Sequence, residues 1–174
     1  MSCLFRLFMN QVSNFNDITL RNGNPLDYEK VIKIQPLWWN GRDLTSLILK
    51  IFFIHFRDTI FIAEKDGEIV GFLIGFFSQY FSNEAYIHFI GVHPHFRKMG
   101  LGLSLYKKFF NLCNLYNRTV IRAVTSPINK DSIKFHTKLG FIIEPGDGEI
   151  DGIPVTLNYH KIDNPKVIFK KYLK

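Results

Sequence analysis

Residues 91–102 read Gly91-Val92-His93-Pro94-His95-Phe96-Arg97-Lys98-Met99-Gly100-Leu101-Gly102, and they join two segments of different period. Upstream, Tyr86–Val92 is a β-branched and aromatic run that predicts a strand, closed at His93-Pro94 because proline cannot extend the ladder. Downstream, Leu103, Leu105, Tyr106, Phe109, Phe110 and Leu112 form an apolar stripe at helical spacing. Strand, glycine loop and helix in that order suit an anion. Gly100 and Gly102 place no Cβ in the way of phosphate oxygens, their amides add to the positive end of the helix dipole, and Arg97 and Lys98 stand beside them. The same glycines also suit a tight helix entry with no ligand, and spacing alone leaves both readings open. Two other phosphate loops fail. Gly102 is followed by Leu103 and Ser104 rather than by Lys and a hydroxyl residue, and Leu105 stands where a dinucleotide loop has its third glycine.

Working outward, Ile60–Glu64 and Ile69–Phe77 flank Lys65-Asp66-Gly67-Glu68, whose Asp-Gly pair predicts a hairpin of two antiparallel strands. Ahead of them lie a short strand over Ile18–Arg21 and a turn at 22–25, after which Leu26, Val31, Ile34 and Leu37 recur at helical spacing and predict a helix over roughly 25–35. A second helix is predicted over Leu44–Phe56, with burial on more than one face. After the central helix come a strand at Val120–Val124, a break at Ser126-Pro127 and a helix at Asp131–Leu139 stopped by Gly140. A strand from Phe141, an exposed turn over 144–152 and closing strands at Val155–Tyr159 and Val167–Tyr172 complete the chain. This order predicts a mixed α/β fold, a mostly antiparallel sheet with helices on both faces. Residues 1–16 show no period and are taken as an extension ahead of one domain, 17–174.

With 174 residues, 47% apolar content and 18 Phe, 7 Tyr and 2 Trp, the chain can bury one sizeable core, which excludes disorder as its description. Apolar runs such as Ile69–Phe77 fall short of the roughly 18 to 20 residues that cross a bilayer. Met1–Phe8 lacks the pattern of a signal peptide, so a cytoplasmic location is expected. Cys3 and Cys113 have no metal spacing and make no disulfide framework. The net charge of +7 attracts anions, phosphorylated cofactors and nucleic acids alike. Part of the excess lies in Lys161, Lys166, Lys170, Lys171 and Lys174. A metal set of His88, His93 and His95 is rejected, because Pro94 turns the chain between them and no carboxylate or cysteine completes it.

The segment Arg97-x-x-Gly100-x-Gly102 after Gly91-Val92-His93-Pro94 resembles the acetyl-CoA loop of the GNAT acetyltransferase superfamily. A second segment, Asn129-x-x-Ser132-x-x-Phe135-His136-x-Lys138-Leu139-Gly140-Phe141, begins 27 residues after Gly102 and is similar to that superfamily's Asn-x-x-Ala-x-x-Phe-Tyr-x-Lys-Leu-Gly-Phe. Two motifs in the right order are far more specific than either alone. The closing Val155–Tyr172 also resembles that of predicted bacterial members without an assigned substrate.

The resemblance implies a twisted sheet of six to seven strands in which one strand pair splays to hold the CoA arm. Ile90, Gly91 and Val92 then match the strand that pairs with the arm, and Met99, Gly100, Leu101, Gly102 and Leu103 match the pyrophosphate cradle, with Arg97 and Lys98 supplying charge. Asn129, Ser132 and Phe135 match residues along the arm. The implied reaction is acetyl transfer from acetyl-CoA to a primary amine by direct attack. It needs a neutral amine, a stabilised oxyanion, for which a backbone N–H near Val92 is available, and a proton for the leaving thiolate. The family's usual proton donor is a tyrosine, and His136 stands in its place, either as donor or packed beside the sulfur. His88, four positions before Val92, matches a strand position used to take the amine's proton; a buried structural histidine is the other reading, and Glu84 is a second candidate base, predicted to sit in a loop. Trp38, Trp39 and Tyr80 either line the acceptor side or pack in the core. The acceptor is a small-molecule or protein amine, and the resemblance allows a homodimer. A non-catalytic acyl-CoA sensor and a basic nucleic-acid-binding module are the competing functions; the second lacks clustered stacking aromatics.

Overall fold

Asp66 and Gly67 both take positive φ, 51° and 80°, the two-residue turn that matches strand twist, and they join β2 (Ile60–Lys65) to β3 (Glu68–Phe77). The computed structural model describes residues 17–174; the predicted extension, 1–16, and Cys3 lie outside the described residues. The remaining elements are β1 (Thr19–Asn22), α1 (Asp27–Trp38), α2 (Lys50–His55), β4 (Glu84–Val92), α3 (Leu101–Leu115), β5 (Val120–Thr125), α4 (Lys130–Lys138), β6 (Ile142–Ile143), β7 (Gly148–Ile150), β8 (Ile153–Val155) and β9 (Val167–Tyr172). Seven strands form one sheet in the order β1-β2-β3-β4-β5-β9-β6, and β7-β8 form a separate hairpin. The sheet is mostly antiparallel, with β4 and β5 its parallel pair.

The chain divides into two compact units, one built from residues up to Leu73 with Ile90–Lys108, the other from Ile74–Phe89 with Phe109–Lys174. In the first, Val31, Phe53, Ile60, Ile62, Phe72, Leu101 and Leu105 are fully buried. Gly71 on β3 is where α3 lands: a Cβ there would meet Leu101 Cδ2 and Leu105 Cδ1 at 3.3 Å. Arg21 ties this unit together. Its guanidinium donates to both carboxylate oxygens of Asp27, at 2.7 and 2.8 Å, and to Glu64 Oε2, clamping β1, α1 and β2. Arg21 holds the Asp27 carboxyl below the usual range, against the opposing effect of burial. In the second unit Ile74, Phe109, Cys113, Ile121, Ala123, Phe141 and Phe169 make the core, and Gly75 leaves the space that Phe109 fills.

Three expectations need correction. The run Leu44–Phe56 is not one buried helix: a 3-10 turn at Thr45–Leu47 and the short α2 are separated by extended backbone at Ile48 and Leu49. Asp43 accepts from the Thr45 amide and hydroxyl at the first turn, and Leu47, Leu49, Ile51, Ile54 and Phe56 are exposed while only Ile48 and Phe53 are buried in that stretch. Apolar residues fill most positions of this run without a clear period, so its total apolarity says little about how many faces are covered. In α1 the buried stripe is Asp27, Val31, Gln35 and Trp38, whereas Leu26 and Leu37 are exposed. Polar Asp27 and Gln35 tolerate burial because Arg21 pairs the first and the backbone of Arg42 and Leu44 bonds the second. Finally, residues 144–152 are not merely a turn: Asp151 and Gly152, φ 51° and 74°, close the β7-β8 hairpin.

Candidate functional site

In the first unit the predicted anion loop is held from both ends. The His93 amide donates to the Val70 carbonyl at 3.0 Å where β4 ends, and Pro94–Phe96 form one 3-10 turn whose first free amide, that of His95, donates to His93 Nδ1 at 3.2 Å. Arg97 Nε donates to the Val92 carbonyl at 3.1 Å and its Nη2 to the Trp38 carbonyl. The guanidinium therefore grips the loop's own framework, and its work there is to hold the backbone. Lys98 and Gly100 are left-handed, φ 61° and 99°, and the Gly100 carbonyl accepts the Ser104 amide at 3.0 Å, so α3 starts at Leu101. The first amides of any helix have no acceptor within it, so those of Leu101, Gly102 and Leu103 form the donor set an anion needs. Met99 and Leu103 are exposed, Leu101 is buried. Of the cofactor-strand residues, Ile90 and Val92 are half-buried and Gly91 is buried, where a Cβ would lie 2.5 Å from Phe72 Cε1 and 2.9 Å from Trp39 Cη2. Trp38 is buried against Phe72 and Trp39 half-buried, whereas Tyr80 is exposed in the β3-β4 turn.

In the second unit β4 runs parallel to β5 for four residues, and the register ends at Ile87↔Ala123, beyond which the strands splay. The Ser78 amide donates to Glu84, a register one residue away from the Val70–His93 bond, so β4 carries one extra residue against β3. Glu84, Tyr86 and His88 alternate with buried Ala85 and Ile87. Glu84 is in the strand, not in a loop, and both its oxygens accept from Arg122 at 3.0 Å. Arg122 also bonds Glu144, which lies 3.8 Å from Lys170 Nζ. Both carboxylate oxygens are thus occupied by Arg122.

Tyr86 stacks on Phe76 with centroids 5.2 Å apart, and its ring centroid is 6.4 Å from that of His88. Burial first, then Tyr159, which shares a hydrogen bond with it, raises the Tyr86 hydroxyl well above the usual phenol range. Burial, Lys166 and His88 lower the neighbouring His160. Thus Tyr159 and His160, on the segment between β8 and β9, join Tyr86 and His88. The sequence predicts a strand over Val155–Tyr159, but β8 ends at Val155 and the chain beyond it has only the isolated Thr156↔Lys166 and Asn158↔Asn164 bridges; nothing local marks Tyr159 or His160 as site residues, because those long-range bridges place them.

The second motif folds inward. Asn129 caps α4, its Oδ1 accepting the Ser132 amide at 3.2 Å. His136, 4% exposed, stacks on Phe169 with centroids 4.5 Å and planes 7° apart, and meets Phe141 edge-on. Its Nδ1–H donates to the Ser132 carbonyl at 2.8 Å, a bond only the protonated nitrogen can make, while Ser132 Oγ lies 3.3 Å from the same atom. Burial lowers its pKa, so the ring is neutral near pH 7 and its other nitrogen carries no proton to give. Phe135, predicted along the arm, is half-buried beside it.

The acetyltransferase (GNAT) family matches residues 28–141. The chain therefore belongs to the GNAT acetyltransferase family, a class of acyltransferases whose cosubstrate is acetyl-CoA. It is similar to an N-alpha-acetyltransferase of Sulfurisphaera tokodaii, 26% identical over 136 residues that make up 70% of this chain and 78% of that one. An uncharacterized N-acetyltransferase of Methanocaldococcus jannaschii is 33% identical over 89 residues, 49% of this chain; the match spans 39% of that relative's length. Among solved structures, Ard1 from Thermoplasma volcanium superposes with a TM-score of 0.74 at 25% identity, covering 91% of this chain and 99% of the other. Among the described residues no helix is long and apolar enough to cross a membrane.

Proposed function

We propose that this chain is an acetyl-CoA-dependent N-acetyltransferase whose acceptor is the α-amino group of a polypeptide. The observation that carries the cofactor half is the loop at the start of α3: Lys98 and Gly100 in left-handed backbone, with Arg97 fastening it to Val92 and Trp38. The relative named an N-alpha-acetyltransferase supports the acceptor half. Acetyl-CoA supplies the acyl group. Met99–Leu103 hold its phosphates through backbone amides with Lys98 alongside, and Ile90, Gly91 and Val92 present backbone groups to its arm. Asn129 keeps its amide NH2 for the arm, its oxygen being used in the cap, with Ser132 and Phe135 beside it.

The amine nitrogen forms its bond to the thioester carbonyl carbon as the carbon–sulfur bond breaks; the amine loses a proton and the thiolate gains one. His88 takes the first through water, on the half-buried face it shares with Tyr86. His136 serves packing, and water protonates the thiolate. A non-catalytic acyl-CoA sensor is the second reading, favoured by the inward, neutral His136.

Calorimetric titration with acetyl-CoA, with a Gly100→Asp, Gly102→Asp variant as control, tests the site. Saturable binding lost in the variant is expected, followed by thiol release when peptides with a free N-terminus are added. Binding without release from any amine leaves the sensor, and no binding by the folded protein removes the cofactor reading.

A further inference from the structure

The loop that this reading assigns to acetyl-CoA begins with a histidine the chemistry above does not use. His93 stands at the N-cap of the 3-10 turn, and its Nδ1 accepts the His95 amide at 3.2 Å. Its own amide is fixed to the Val70 carbonyl at 3.0 Å, and its ring meets Trp38 edge-on at 5.5 Å. Trp38 is also the residue whose carbonyl takes Arg97 Nη2, so the cap and the Arg97 clasp close on the same indole-bearing residue. An amide can donate to imidazole only where the nitrogen has a free lone pair. Protonation would place an N–H against the His95 amide and a second cation near Arg97.

We propose that neutral His93 is a positioning residue for the acetyl-CoA loop, acting as the cap that sets the turn from β4 into residues 97–103. The proposal rests on the acetyl-CoA reading of that loop. The charged or titratable groups around the ring are His95, whose centroid is 5.0 Å away, Arg97, and Lys65, which reaches the loop over the Phe96 ring at 6.0 Å; α1 contributes Trp38 and β3 only a backbone carbonyl. Among these groups there is no carboxylate to pair with a protonated ring. Burial, His95 and Arg97 accordingly hold His93 below the ordinary imidazole range.

Loss of a cap typically weakens the capped conformation about fivefold. The added positive charge near an exposed anion site recovers roughly twofold at physiological salt. Acetyl-CoA affinity should therefore fall about two- to threefold as His93 protonates. His93→Asn keeps an acceptor that can reach the amide two residues on and has no titration. Acetyl-CoA binding by the full chain, measured by calorimetry at pH 8 and at a pH below the midpoint of the His93 ring titration followed by NMR, should weaken more at acid pH in the natural protein than in His93→Asn. The 3′-phosphate of acetyl-CoA titrates in the same range but is common to both.

His93→Phe, which lacks the acceptor, should bind weakly at both pH values, and the Asn variant should rescue it at pH 8. Equal pH dependence in the natural and Asn proteins, or no rescue, overturns the proposal. A ligand-free readout separates this from the parent reading: in NMR the His95 amide should shift along the titration of the His93 ring. An amide that stays still refutes the cap. A shifting amide with no acetyl-CoA binding at pH 8 sustains the cap while removing the cofactor reading and the consequence drawn for it.

Discussion

Residues 91–103 and 129–141 are the two family motifs, and the fold uses them differently. In the first, backbone conformation does the work: Lys98 and Gly100 are left-handed, α3 starts immediately after, and the one large cation, Arg97, is spent on carbonyls. In the second, side chains turn into the protein: Asn129 caps its own helix and His136 stacks on Phe169. A motif made of glycines states a backbone shape and can be read locally. A motif made of side chains states only residue types, and what they touch depends on strands contributed from elsewhere.

The largest test of this contrast lies outside both segments. If the chemistry resides on β4 rather than on α4, His88→Ala should lower kcat about 100-fold with acetyl-CoA affinity unchanged; a rate within threefold of the natural protein would return attention to the second motif. Next, Arg97→Ala removes two bonds to carbonyls and should weaken acetyl-CoA binding about tenfold in calorimetry while the fold persists. An unchanged Kd would mean that the glycines alone set the loop.

Asn129→Ala should cost about 1 kcal/mol of stability in denaturant unfolding, as a lost cap does. A loss of acetyl-CoA affinity larger than that would show that the side chain serves the arm more than the helix. The smallest change is expected at His136→Phe, which keeps the stacking plane: turnover should stay within twofold across pH 6 to 9. The same variant should alter the pH dependence of stability. A histidine whose folded pKa is depressed lets the unfolded chain bind more protons below about pH 6.5, so stability falls as pH drops from there toward the folded value. His136→Phe should flatten that slope, and a slope left intact would place the titrating group elsewhere, His93 and His160 being the other histidines with a lowered pKa.

Much of the fold was legible. Asp66-Gly67 announced its hairpin because a two-residue turn with both φ positive admits few other residues, and Val167–Tyr172 was read at the bounds the strand has. The same Asp-Gly signal at Asp151-Gly152 is masked by Pro145 and the surrounding glycines, which read as loop. Leu44–Phe56 misled for the opposite reason, since an apolar run without a period has no face to read. At the site, the loop and β4 are legible, but the sequence reads Glu84 as a loop residue. Its partner Arg122 lies 38 positions away, brought alongside only by the parallel pairing of β4 and β5. Tyr159 and His160 were missed on the same ground.

By itself the sequence determined most of the element order, the glycine loop and the family, because each rests on local backbone preference or on residue spacing along one element. Only the tertiary structure decided which side chains are occupied. Arg97 and Glu84 have their charges satisfied by partners distant in the chain, and burial among rings from other segments disfavours the charged form of His136. Desolvation and pairing are properties of the assembled environment, and no stretch of sequence carries its own surroundings.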